Sequence, residues 1–234
     1  MVLKIRHAER KAKKLKAALV GVSGAGKTWT ALELATGLAN GGRILVIDTE
    51  RSSSTLYADH FEFDVMDLPD TNVQSYLGAL DAAVREGYEV AVIDSLSHAW
   101  EYLLEEVDNI QKRDRRLNSF TAWSEVTPIY RQLVQKVVSV PAHVIATMRA
   151  KSDYVMEEYV NAAGKTATRP VKVGLAPVFR QGGEYEFDVV ANIDLSHSLV
   201  VEKTRIDFLA DQVIKRPGRE VGRKIREWID SAKA

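Results

Sequence analysis

Gly21-Val22-Ser23-Gly24-Ala25-Gly26-Lys27-Thr28 decides how the chain is read. The stretch fits G-x-x-x-x-G-K-[ST] at every fixed position. Glycines let successive backbone N–H groups turn inward around an oxyanion, because they reach backbone angles closed to other residues. The flanks agree with this. Ala17–Val22 is an apolar run that reads as a buried strand, and Lys27–Ala39 has helical periodicity ended by Asn40-Gly41-Gly42. The helix N-terminus behind the glycines adds partial positive charge at the same spot. In this pattern Lys27 reaches the β- and γ-phosphates of a nucleotide, and the Thr28 hydroxyl faces Mg²⁺. Gly21, Ser23, Gly24, Ala25 and Gly26 form the cradle, and Trp29 follows on the helix.

Outward from the loop, strands and helices alternate. Arg43–Ile47, Val90–Ile93 and His143–Thr147 read as further buried strands. Asp70 is the expected N-cap of a helix over Thr71–Arg85, closed by Gly87. Ser97–Asn109, Glu125–Val138 and an amphipathic Val221–Ile229 read as helices. Continuous β-branched runs separated by helices predict an α/β fold, with a mostly parallel sheet covered on both faces. After Lys151 the texture changes. Gly182-Gly183 lies between two short runs in Phe179–Val190, and Glu184-Tyr185-Glu186-Phe187 alternates. That pattern predicts an antiparallel hairpin at the C-terminal edge. Residues 17–234 are expected to form one domain behind a basic arm over residues 1–16.

Composition narrows the chemistry. The 234 residues carry 32 Lys+Arg against 32 Asp+Glu, so wholesale wrapping of nucleic acid is not expected, although local basic patches are. The absence of cysteine excludes disulfides, thiolate catalysis and cysteine-ligated zinc, and fits a reducing, cytoplasmic setting. No apolar run approaches the ~18–20 residues needed to cross a bilayer. Met1–Lys16 concentrates seven basic residues against one acid, and Lys112-Arg113-Asp114-Arg115-Arg116 forms a second basic knot.

A phosphate loop needs an acid near the metal, at the end of a buried strand. Asp94, closing Val90-Ala91-Val92-Ile93, supplies it. Hydrolysis also needs a group to orient or deprotonate water. Ser95 follows Asp94, so the candidate comes from the next strand end, where Ile47-Asp48-Thr49-Glu50 places Glu50, with Asp48 as its rival. The carboxyl ends of parallel strands face one crevice, which brings Glu50 toward the γ-phosphate. The guanine-reading N-K-x-D pattern is absent, leaving adenine as the expected base.

These residues together resemble the RecA-type recombinase core. The loop is followed by Asp48-Thr49-Glu50, then by Tyr57 seven residues after Glu50, then by Leu68-Pro69-Asp70-Thr71 opening a helix. Val92-Ile93-Asp94-Ser95 resembles that family's metal-binding strand, and Val201-Glu202-Lys203-Thr204-Arg205 its late segment with two cations one residue apart. Ala146–Lys151, Gly174-Leu175-Ala176-Pro177 and Glu184–Asp188 are more similar to bacteriophage RecA-like ATPases of the single-strand-annealing group. The resemblance implies Glu50 as catalytic base, Tyr57 stacking on adenine, and Thr147 or Arg149 sensing the γ-phosphate. It implies Lys203 and Arg205 reaching a neighbouring copy's ATP, hence a filament or ring. Two positions depart from the family. Ser54 stands where an acid contacts the adenine amino group, and Thr147-Met148 stands where Gln or Asn ends the sensor strand.

By position, the same resemblance assigns single-stranded DNA to two loops. Gln111–Ala122 carries Lys112, Arg113, Arg115, Arg116 and Phe120, and Lys151–Lys172 carries Lys151, Lys165, Arg169 and Lys172. Cations track phosphates and aromatics stack on bases. A single-strand-binding protein is a further possible partner. A motor or loader ATPase of replication or packaging, a small-molecule kinase and a nucleotide-gated assembly protein are the competing readings. His7, His60, His98 and His197 lack metal-ligand spacing, and His143 reads as a packed core residue.

Overall fold

The structure, a computed structural model, describes residues 7–114, 118–160 and 166–232, with the side chains of 152–173 outside the description. Its elements are β1 (Lys16–Gly21), α1 (Lys27–Ala39), β2 (Ile44–Asp48), β3 (Asp64–Asp67), α2 (Val73–Arg85), β4 (Val90–Asp94) and α3 (Ser97–Arg113). These are followed by α4 (Ser119–Ser139), β5 (His143–Val160), β6 (Thr166–Pro177), β7 (Val189–Ile193), β8 (Ser198–Thr204), β9 (Val213–Lys215) and α5 (Arg219–Asp230). The sheet runs β3-β2-β4-β5-β1-β7-β8-β9, with β6 paired to β5. From β3 to β7 every pairing on this path is parallel, and β8 and β9 are antiparallel. The expected α/β class and antiparallel C-terminal edge are therefore present.

Side-chain alternation builds two cores from the same strands. Ala18, Val20, Leu45, Ile47, Ala91 and Ile93 face α2, α3 and α4. Ala17, Leu19, Ile44, Val46, Val90 and Val92 face α1 and α5. On this second face the two helices meet backbone to backbone: a Cβ on Gly37 would lie 2.0 Å from the Arg219 carbonyl oxygen, and one on Gly222 would lie 2.2 Å from that of Leu34. Only glycine permits this approach. It docks the start of α5, and the segment leading into it, against the helix that follows the phosphate loop.

Several sequence expectations shift. Asn72, not Asp70, caps α2, accepting from the Ser75 N–H, while Asp70 accepts from the Asn72 N–H and the Ser75 hydroxyl. The α4 helix begins well before Glu125, because Asn118 caps it through the Thr121 N–H and Ala122, Val126, Tyr130, Leu133 and Val137 form one buried stripe. The hairpin expected at Gly182-Gly183 is instead a short 3₁₀ turn over Gly183–Glu186. Gly183 is needed there for packing, since a Cβ would fall 2.5 Å from both the Phe179 ring and the Tyr130 hydroxyl. Antiparallel structure forms instead in β7–β9 and in the β5–β6 hairpin. The Lys151–Lys172 segment, expected as a loop, is consequently strand over Lys151–Val160 and from Thr166 onward, as its β-branched and aromatic residues favour.

Candidate nucleotide site

The turn between β1 and α1 lies at the carboxyl end of the parallel sheet. Gly24 and Gly26 have φ of +79° and +86°, left-handed values that glycine adopts without strain. A cleft of about 990 Å³ opens above the turn, walled by Gly21–Gly24, Gly26–Thr28, Glu50, Asp94 and Arg149. Trp29, Tyr57 and Arg216-Pro217-Gly218 line the same cleft. Trp29 meets Tyr57 edge to face at 5.7 Å and Phe61 at 4.9 Å, which fixes an aromatic wall fit for a base.

Lys27 Nζ donates to the Val22 carbonyl at 3.0 Å. Burial pushes its pKa below the usual lysine range, against the pull of Asp94 and Glu50. Asp94 ends β4 and is buried. Its Oδ2 accepts from the Thr28 hydroxyl at 2.6 Å and its Oδ1 from the Thr147 hydroxyl. Burial pushes this carboxyl above the usual range, despite the two hydroxyls that favour its charged form. Thr28 and Asp94 offer hard oxygen ligands beside a phosphate cradle, the donor set that suits Mg²⁺ shared with phosphate oxygens. The described residues contain no cluster of three or more His, Cys, Asp or Glu that would hold a metal alone. Thr28 and Asp94 would hold the ion, which when bound neutralises charge on the phosphates.

Glu50 reaches the cleft because Asp48 shapes its turn. Asp48 Oδ1 accepts from the Glu50 N–H at 2.7 Å, and Oδ2 accepts from the N–H and hydroxyl of Ser54. Asp48 is thus buried and occupied, which removes it as a rival base. Ser54 is turned inward to Asp48 and does not line the cleft.

Arg149, on β5, grips Glu50 with Nη2 at 2.9 and 3.1 Å from its two oxygens, and lies 3.5 Å from Glu101 of α3. Its backbone N–H donates to the Ser97 hydroxyl at the start of that helix. Of the two expected sensors, Arg149 lines the cleft while Thr147 is buried beneath Asp94. His98 lies 3.5 Å from Glu50 and 2.7 Å from the Thr49 hydroxyl, a contact its sequence position does not disclose. The cleft also recruits Glu33, His197 and Arg216–Gly218. His197 bonds the loop across 172 positions, so no local motif could reveal it.

A family model described as an AAA domain matches residues 13–216. The chain belongs to that AAA domain family. No curated protein matches it. The AAA domain is a P-loop ATPase domain, and the cleft above β1 is its candidate nucleotide site.

The remaining expected residues lie away from this cleft. Lys203 and Arg205 lie on and just after β8. Lys203 pairs in register with Val190, near the amino end of the parallel strands. Lys203 Nζ donates to the Tyr185 and Phe187 carbonyls at 2.6 Å each, and Arg205 pairs with Asp188 at 2.7 Å. Lys112 and Arg113 are exposed in the last turn of α3, and Phe120 is exposed at the start of α4. Lys151 is exposed on β5, just past Arg149. Arg169 and Lys172 lie on β6, opposite Glu157 and Tyr154. Arg115, Arg116 and Lys165 lie outside the described residues. No described helix is long and apolar enough to cross a membrane.

Proposed function

We propose that this AAA domain is a Mg²⁺-dependent ATPase of the RecA type that assembles on single-stranded DNA and promotes annealing or strand exchange in bacteriophage recombination. One observation carries the reading. β5 is a single strand from His143 to Val160, running past Thr147 and Arg149 at the nucleotide cleft and on into the hairpin with β6. A group that faces the γ-phosphate end of the cleft therefore shares a backbone with the hairpin assigned to DNA. A second connection runs through Glu101 and Ser97 of α3, the helix that ends at Lys112 and Arg113. ATP would draw Arg149 from Glu50 toward phosphate, free the base and shift both elements together. In the assembly, Lys203 and Arg205 would have to leave the Tyr185 and Phe187 carbonyls and Asp188 to reach a neighbouring copy's triphosphate, where such cations can contribute ~10³–10⁵ in rate.

The test is ATP turnover with and without single-stranded DNA at two salt concentrations, with particle images of the same samples. The expected result is stimulation by DNA that weakens with salt, together with polymers or rings. Stimulation with directional translocation would favour a replication motor. Polymers without turnover would favour nucleotide-gated assembly, and neither stimulation nor polymer would overturn the DNA reading.

A further inference from the structure

The turn joining β7 to β8 folds over the phosphate loop and ends in His197, which the loop motif does not include. Asp194 builds that turn, its Oδ1 accepting from the N–H groups of Ser196 and Ser198 at 2.8 and 2.9 Å. His197 has φ +61°, and its own N–H donates to the Asp194 carbonyl at 3.0 Å. Two walls of the cleft meet on this one residue. Its Nδ1 lies 3.0 Å from the Ala25 carbonyl oxygen, and its backbone carbonyl accepts from the Arg216 N–H at 2.9 Å. His197 therefore bridges the phosphate loop and the Arg216–Gly218 segment, both of which line the cleft. A nucleotide held by the loop at its phosphates, with its base toward Tyr57 and Arg216–Gly218, would place its sugar beside the ring.

The hydrogen-bond chemistry then fixes what the ring can read. A carbonyl oxygen only accepts, so Nδ1 carries the proton in this contact. In the neutral ring Nε2 is left as an acceptor. The Nδ1 edge packs on the loop, with Nδ1 3.1 Å and Cε1 3.7 Å from where a Gly26 Cβ would be. Nε2 is on the side away from the loop, and among the described residues it has no hydrogen-bond partner. An acceptor at the sugar position is complementary to a hydroxyl.

We propose that His197 accepts a hydrogen bond from a ribose hydroxyl of the bound nucleotide, making this cleft select ribonucleotides over their deoxy counterparts. The inference rests on the cleft binding a nucleoside triphosphate and does not require the DNA reading.

The test compares dissociation constants of ATP, 2′-deoxy-ATP and 3′-deoxy-ATP for the full chain and for His197→Asn. Asparagine tolerates a left-handed φ, and its side-chain N–H can keep the bond to Ala25 while no acceptor remains at the Nε2 position. The expected result for the native chain is a preference of about three- to tenfold for ATP over one deoxy analogue, the size of one neutral hydrogen bond. In His197→Asn that ratio should fall to about one, with the melting temperature unchanged. Equal binding of all three nucleotides by the native chain would overturn the proposal. So would a variant that weakens all three alike, which would make His197 a loop support or a phosphate contact. Binding of none of the three by the native chain would be a different failure, that of the nucleotide site itself.

Discussion

At the carboxyl ends of the strands, Lys27, Glu50, Asp94 and Arg149 meet around an open cleft. At the amino ends, Lys16, His143 and Asp188 are buried, with the half-buried Glu89 beside them. Both sets bring polar groups out of water, which is unfavourable unless partners replace the water. The amino-end set is closed. Glu89 pairs with Lys14 at 2.6 Å and Arg226 at 2.7 Å, and Asp188 pairs with Arg205 at 2.7 Å and Lys13 at 3.1 Å. Lys16 Nζ donates to the Val140 and Ala142 carbonyls. The cleft set is open. Arg149 and Glu50 pair with each other, but among the described residues Asp94 has two hydroxyls and no cation in contact, and Lys27 has a loop carbonyl alone. The pKa directions follow: burial raises Asp94 and lowers Lys27, so both charged forms await an opposite charge. A Mg²⁺-bound triphosphate carries both. The amino end is built for stability, and the cleft holds unspent electrostatic attraction for a ligand.

The largest expected effect comes from breaking the open end. Glu50→Gln removes the base and leaves a side chain of the same shape. ATP turnover should fall by about 10²–10⁴-fold, the usual contribution of a positioned general base. The dissociation constant of ATP should change little, because the loop and aromatic wall are intact. The same substitution cancels the charge that Arg149 grips, so Arg149 becomes freer to meet phosphate. Steady-state turnover measured beside nucleotide binding separates the two effects. An unchanged rate would remove Glu50 from its role, and Asp48 could not inherit it while both its oxygens are engaged.

How much of this could be read from the chain depends on how local each contact is. The phosphate loop, Asp94 and Glu50 sit in short motifs at strand ends, and a parallel sheet gathers those ends. Even the two-faced burial of β1, β2 and β4 was visible as unbroken apolar runs. Arg149 was visible as a strand-end residue, but its grip on Glu50 spans 99 positions and has no local pattern. His98 and His197 lack metal-ligand spacing, yet both are held beside the cleft by ordinary hydrogen bonds that no local pattern announces. The Gly182-Gly183 pair misled because a glycine needed for close packing looks the same in sequence as one needed for a turn. The β5–β6 hairpin is hard to read because charged and small polar residues interrupt its β-formers and resemble those of a loop.

An intermediate effect should come from breaking the closed end. His143 begins β5, and its Nδ1 accepts from the Leu15 N–H at 2.9 Å. Burial holds the ring neutral, with its pKa pushed down to about 3. The unfolded chain protonates this histidine near pH 6.5, so between ~6.5 and ~3 it binds a proton that the folded chain refuses. Stability is therefore full above ~6.5 and is lost as pH falls through that window, by roughly a few kcal/mol. His143→Gln keeps an acceptor for Leu15 but has no titrating group. Denaturant unfolding at a series of pH values should show a shallower acid slope in the variant, whatever its stability at neutral pH. Parallel slopes would mean that acid lability arises elsewhere, for instance at Glu89.

The smallest effect bears most directly on the contrast, and its sign is opposite to that of most buried substitutions. A carboxyl whose pKa is raised on folding holds its proton more tightly in the folded chain. Ionising it costs stability as pH rises through and above the ordinary carboxylate range. At neutral pH, without nucleotide, Asp94 should therefore weaken the fold. Asp94→Asn retains the shape and can still bond with Thr28 and Thr147, but it has no charge to bury. If the relief is about 1 kcal/mol, the nucleotide-free variant should melt about 2–4 °C above the native chain. The order should reverse with saturating Mg²⁺ and ATP, because only the native carboxylate gains the cation's attraction. Thermal melts with and without Mg²⁺–ATP, in both proteins, test the crossing. Were Asp94→Asn the less stable in both conditions, its two threonines would already satisfy the carboxylate, and the two ends of the sheet would follow one rule.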